Sequence, residues 1–244
     1  RRGRPGRCPV NDDGVLRQAL VWLNDPLNWQ GPRGVPALAA EHLAMSAAAV
    51  ALAAVVALPV GIWLGHRGRG GGLTVLTSNA SRALPTLALL YVFATTGLGF
   101  GNRPTVVAAA IFAVPPILSN AFTGVREVDP AARDAAVGMG MSGRRVLATV
   151  ELPLALPLIG AGLRTAAVQV VATVPLAALV GGGGLGTIIV TGFATRRFGE
   201  VVAGGVLVAA LCLLVEAVLA GLQRALTPAP MRVRARDRAQ VAAA

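Results

Sequence analysis

Apolar residues are gathered along this chain into long blocks, separated by short polar turns and one longer polar segment. A helix needs about 20 predominantly apolar residues to cross a bilayer, and five blocks reach that length. The first, 37–64, reads "ALAAEHLAMSAAAVALAAVVALPVGIWL", and its uncharged part begins after His42. The second, 73–98, is interrupted by Arg82 and Pro85. The third covers 105–125, the fourth 157–181 and the fifth 201–222. The pattern predicts an all-α integral membrane protein with a five-helix core over 37–225. A loop at 126–156 interrupts that core, and an arginine-rich tail over 226–244 is expected to be disordered.

Residues 1–36 form a polar extension around the short amphipathic piece "VLRQALVWL". Trp22 and Trp29 in "WLNDPLNW" suit the headgroup region, where indole partitions. An interfacial helix and a loosely ordered extension both fit these residues. The opening "RRGRPGRCP" lacks the apolar core of a signal peptide and is expected to be disordered.

Composition sharpens the class. The chain is 55% hydrophobic and 14% charged, against about 25% charge in soluble domains. Its apolar mass is mostly Ala, Val, Leu and Gly, which suits close helix packing in lipid. Every basic side chain is arginine. A Walker A loop needs a lysine, so this chain carries no ATPase site of that kind. The net charge of +11 sits largely in turns and tails flanking apolar blocks, a membrane-protein distribution rather than a nucleic-acid face. Cys8 and Cys212 make no disulfide framework, and His42 and His66 lie too far apart for a local ligand pair. No metal, bound cofactor or catalytic group is expected.

With the first block entering from outside, the inner side collects eleven arginines: Arg67, Arg69, Arg126, Arg133, Arg144, Arg145, Arg224, Arg232, Arg234, Arg236 and Arg238. The outer turns hold Arg103, Arg196 and Arg197, three in all, or nine with the N-terminal extension. Leaving that extension aside, the positive-inside rule places the 126–156 loop and the C-terminus in the cytoplasm.

Arg82, Arg164, Gln169, Thr173 and Glu216 fall within apolar blocks. Such groups pair with one another, snorkel, or face a cavity. Pro85, Pro115, Pro116 and Pro175 are expected to kink helices. The run "GGGGLG", 181–186, has no strand before it and no lysine after it. It is expected to be a flexible re-entrant or gating turn. Pro85, Arg164, Gln169, Thr173, Gly183 and Gly184 are the candidates for lining or gating a pathway.

The loop segment "DAAVGMGMSGRRVLATVELP", 134–153, resembles the EAA signature of permease subunits in bacterial ABC importers. That signature runs E-A-A, three residues, G, nine residues, then I-x-L-P. Asp134, Ala135 and Ala136 fill the triplet, Gly140 the glycine, and Val150, Leu152 and Pro153 the close. Asp replaces Glu and Val replaces Ile. On the residues alone, Asp134 is expected to offset the dipole at a helix start. Ala135 and Ala136 allow close packing, Gly140 permits a turn into a second short helix, and Pro153 stops that helix. The resemblance implies that the segment from about Met141 to Ala148, with Ser142, Gly143 and Arg144, docks into a groove on a separate ATP-binding subunit, which binds ATP and magnesium.

Further stretches, "SRALPTLALLYVF", "PPILSNAFTGVREVDP" and "LAALVGGGGLGTIIVTGF" among them, resemble permeases for glycine betaine, carnitine, choline or proline. The likeness runs over about 21–225. It implies a second permease copy or paralogue, an extracytoplasmic substrate-binding protein, and osmoprotectant uptake through the bacterial cytoplasmic membrane. A permease for methionine or another small solute is the alternative substrate reading. An ATP-independent secondary transporter is the alternative class.

Overall fold

The structure is a computed structural model that describes residues 12–72, 76 and 85–226. Its described elements are helical. They are α1 (Asp12–Asn24), a 3-10 turn (Pro26–Trp29), α2 (Val35–His66), α3 (Thr86–Ala94), α4 (Asn102–Arg126) and α5 (Pro130–Gly138). There follow α6 (Gly143–Val146), a π-helical turn (Leu147–Glu151), α7 (Leu152–Thr173), a 3-10 stretch (Val174–Val180), α8 (Gly186–Ala194) and α9 (Phe198–Leu226).

Four stretches among the described residues are long and apolar enough to cross a membrane: Val35–His66, Asn102–Arg126, Gly143–Val180 and Phe198–Ala225. Much of the expected second span, Arg82 included, lies outside the described residues. The later part of that block forms α3. Pro85 precedes α3 in an extended conformation, at φ −73° and ψ 113°, so it opens this helix and does not kink its middle.

α4 is the central element, with α2 on one side and α7 on the other. The α2 seam repeats every fourth residue: Met45, Ala49, Ala53, Ala57, Gly61 and Gly65, all buried. It packs on Ala109, Ala110, Ala113, Ile117 and Leu118 of α4, with Ala166 and Val170 of α7 completing the cluster. The backbones come very close. A Cβ on Gly61 would lie 2.8 Å from the Leu118 carbonyl oxygen, and one on Gly65 2.7 Å from that of Phe122. The same holds across α4 and α7, where a Cβ on Gly162 would sit 2.6 Å from the Asn120 Cβ. Lipid tails are as apolar as leucine, so helices in a bilayer associate through such small-residue contacts rather than by escaping water.

A second cluster joins Val35 and Leu38 of α2 to Val171, Leu185, Ile188 and Leu211, with Trp22 of α1 packed against it. The amphipathic piece of the extension is therefore a seated helix, lying along α9. Trp29 donates its indole N–H to the Leu23 carbonyl (2.8 Å). On the outside, Val55, Leu213, Leu214 and Val218 are well exposed, as apolar residues facing acyl chains should be.

The seam gives a direct test. Ala53→Leu puts a large side chain where 1% of the residue is exposed. Overpacking of this kind costs about 1–3 kcal/mol, so the melting temperature in detergent should fall, while Val55→Leu on the exposed face should leave it unchanged.

Candidate functional site

α4 ends at Arg126, and Asp129 starts the next helix. Its Oδ1 accepts a hydrogen bond from the Ala131 N–H (2.9 Å), and Pro130 occupies the first turn. The capping carboxylate is thus Asp129. Asp134 lies midway along α5 and is exposed, so it does not offset the helix dipole as expected. Of the two alanines, Ala136 is buried and Ala135 is exposed.

α5 closes in a Schellman turn. Met141 N–H donates to the Ala136 carbonyl (3.2 Å) and Gly140 N–H to that of Val137 (2.9 Å). Gly140 has φ +78°, and a Cβ there would meet nothing within 4 Å. The demand for glycine is therefore conformational, not steric.

The second short helix differs from expectation. Ser142 precedes it in an extended conformation, and Gly143–Val146 then runs without a stop through the π turn into α7. Pro153 does not end a helix. It has no N–H to give the Thr149 carbonyl four residues back, and its ring would crowd that carbonyl in a regular α turn. The wider π turn relieves this, with Leu152 N–H reaching the Leu147 carbonyl. Val150 and Leu152 are half-buried, whereas Pro153, Ser142, Gly143, Arg144 and Arg145 are exposed and Met141 is intermediate. Val137 and Met139, at 56% and 71% exposure, add an apolar element to this outer surface.

Beneath it lies an ion cluster. Glu151, on the π turn, is fully buried. Its Oε2 accepts from Nδ1–H of His66, the last residue of α2 (2.6 Å). Its Oε1 lies 2.7 Å from Arg133 Nε of α5. That second contact is ionic, since the Nε–H does not point at the oxygen. Arg133 also donates to the Val125 carbonyl in the last turn of α4 (3.3 Å). One carboxylate thereby joins the end of α2 and the middle of α5 to the start of α7, with α4 attached through Arg133. The pattern along the chain missed this trio because His66 and Glu151 are 85 residues apart. The available signal was a lone acid in "LATVELPLAL", since carboxylates in apolar blocks need partners.

At the opposite end the glycine run is held fast. Asn102 donates from Nδ2 to Glu41 Oε1 (2.7 Å) and accepts from Gly183 N–H at Oδ1 (2.8 Å). Gly184 N–H donates to Glu41 Oε2 (3.0 Å). A Cβ on Gly183 would collide with the Glu41 carboxylate. The run is not a free turn; it is a latch between the second turn of α2 and the first turn of α4. Next to Glu41, buried His42 donates from Nε2 to the Val171 carbonyl (2.9 Å). That carbonyl is free because Pro175, four residues on, has no N–H. Pro175 thus ends the α-helical part of α7, and His42 satisfies the buried acceptor left without its helical partner.

The remaining candidates do not converge. Arg164 of α7 and Glu216 of α9 pair at 3.6 Å with both side chains partly exposed. Thr173 donates to the Gln169 carbonyl (2.7 Å), and Gln169 is exposed on the outer face of α7. Pro85 is also exposed. Gly183 and Gly184 belong to the latch.

Residues 57–230 match the family described as "Binding-protein-dependent transport system inner membrane component". The chain belongs to this family. The matched region includes the 126–156 segment and all three members of the ion cluster, while Glu41 and His42 precede it. Among curated proteins, a glycine betaine/carnitine/choline transport system permease protein of Bacillus subtilis (strain 168) is 39% identical over 121 residues, 50% of this chain and 55% of that protein. A glycine betaine/proline betaine transport system permease protein of Escherichia coli (strain K12) is 35% identical over 132 residues, 54% of this chain and 37% of that protein. The chain spans about half the length of the curated relatives it matches first. A chain of an inward-facing MetNI methionine ABC transporter superposes with a TM-score of 0.68 at 24% identity, covering 84% of this chain and 100% of that one. That likeness concerns the fold. Family membership and four membrane-length helices make this a multi-pass membrane protein.

Two glycines of this family member make contrasting predictions. Gly140→Ala should destabilise by about 1–2 kcal/mol, the cost of a left-handed backbone for an L residue. Gly183→Ala should cost more, through its clash with Glu41. Much of that excess should vanish in a Glu41→Ala background, a non-additivity readable from thermal melts of the four combinations.

Proposed function

We propose that this chain is the permease subunit of an ATP-binding-cassette importer that moves osmoprotectants, the quaternary amines glycine betaine, choline and carnitine or the imino acid proline, into the bacterial cytoplasm. The observation that carries this reading is the exposed helix-turn-helix over 130–153, seated on the buried Glu151 cluster in a member of a binding-protein-dependent transport family. The substrate class is supported by the permeases for glycine betaine, carnitine and choline that share 35–39% identity with it.

In this reading the 130–153 surface, with the C-terminus, faces the cytoplasm, as the arginine count favours. The Arg67 guanidinium stacked 4.5 Å from the Trp63 ring suits an interfacial position at that end. Val137, Met139, Arg144 and Arg145 form the docking surface for an ATP-binding subunit. ATP and magnesium belong to that partner, and this chain performs no covalent chemistry. A second copy or a paralogue faces it and completes the pathway. The exposed polar side of α7, with Gln169, is a poor match for lipid and a good one for such an interface. Substrate arrives from an extracytoplasmic binding protein at the glycine-run end.

The test is a pull-down of the tagged protein from mild detergent, followed by uptake of radiolabelled glycine betaine. The parent should bring down an ATPase and support ATP-dependent uptake. Gly140→Leu, which distorts the Schellman turn, should lose most of the ATPase while still inserting in the membrane. ATP-independent uptake, with no ATPase recovered, would favour the secondary-transporter class and sink this proposal.

A further inference from the structure

We propose that Glu151 is the positioning residue that couples the ATPase-docking segment to the membrane helices, with α2 as the rod that carries the movement to the glycine latch. This rests on the permease reading above. The docking surface belongs to α5, α6 and the turn between them. α5 meets the helical body through few groups: Ala136 packs inward, and Arg133 forms an ion pair with Glu151 and donates to the Val125 carbonyl. A displacement of α5 therefore pulls on the Glu151 carboxylate. That carboxylate is fully buried, where stripping away a partner leaves a poorly compensated charge. It follows its partners instead of being left behind.

The carboxylate's other partner is His66, the last residue of α2. α2 has 32 residues and so spans about 48 Å at 1.5 Å per residue. Glu41 and His42 sit near its far end. Glu41 holds the glycine run through Gly184 and Asn102, and His42 holds the Val171 carbonyl at the break in α7. One helix thus has a polar joint at each end. The joint at the docking end attaches to the moving segment, and the joint at the other end attaches to the loop and helix break on the substrate side. The small-residue seam against α4 keeps α2 closely guided between them, with seam residues on both sides of the interior Pro59. Glu151 also lies on a π turn, where the ladder of α7 is already interrupted by Pro153, so the joint can rotate without breaking a regular helix.

The experiment uses the complex reconstituted in liposomes, with ATP turnover and radiolabelled glycine betaine uptake measured on the same preparation. Glu151→Gln keeps the shape and an acceptor for His66 but removes the charge that holds Arg133. Uptake should fall at least tenfold while ATP turnover stays within about twofold, so the solute moved per ATP drops. Arg133→Gln, at a side chain 29% exposed, should uncouple in the same direction even if Glu151→Gln assembles poorly. Arg133→Lys, which keeps the ion pair, should restore most of the ratio. A structural role alone would lower uptake and ATP turnover together, with the ratio unchanged. An unchanged ratio in Arg133→Gln overturns this inference while leaving the permease reading intact. A parent complex that assembles yet shows no ATP-driven uptake overturns both.

Discussion

The close approach of α2 and α4 sets the geometry on which the rest of the molecule depends. Ala49, Ala53, Ala57, Gly61 and Gly65 recur every four residues, so one narrow stripe of α2 carries almost no side-chain volume. Two backbones can then meet at distances that any larger side chain would forbid. The gain is dispersion over many short contacts, each about 0.1–0.2 kcal/mol, because a bilayer supplies no hydrophobic drive between helices. Gly162 repeats the arrangement where α7 meets α4. The ends of α2 are therefore placed by the seam, and both polar clusters depend on where those ends fall.

Prolines create the need for those polar groups. Each proline within a helical stretch removes a donor and leaves a carbonyl without its usual partner. At Pro175 the orphaned Val171 oxygen is met by His42 from another helix. At Pro153 the strain is taken up in the backbone itself, as a π turn that also places Glu151. Two local defects of α7 thus become its two attachment points to α2. Arg164 and Glu216, by contrast, pair at a partly exposed site and behave like charges satisfying one another at the edge of the helical body.

The two ends of the molecule differ in chemistry. At the docking end a buried carboxylate is held between a guanidinium and an imidazole, an arrangement with strong dependence on each member. At the glycine end the carboxylate of Glu41 is bound by backbone and amide N–H groups. Such a carboxylate holds its loop by directional bonds, and it demands a residue without a side chain at Gly183.

Much of the architecture was legible along the chain. Block length and composition determined a helical membrane protein, because crossing hydrocarbon requires apolar residues and internally satisfied backbones. The spacing of the 134–153 segment marked a short helix, a glycine turn and a second helix, since a left-handed turn selects glycine locally. What the sequence could not determine is which distant polar residues meet. His66 finds Glu151, Glu41 finds Gly184, and His42 finds the Val171 carbonyl across separations of 85, 143 and 129 residues. Only the packing of α2, α4 and α7 decides those meetings. The same packing turned an apparently free glycine run into a latch, whereas the cap at Asp129 in place of Asp134 is a local matter of the Asp-Pro pair that opens α5. Local pattern records what a residue can do; the tertiary structure decided which partner stood within reach.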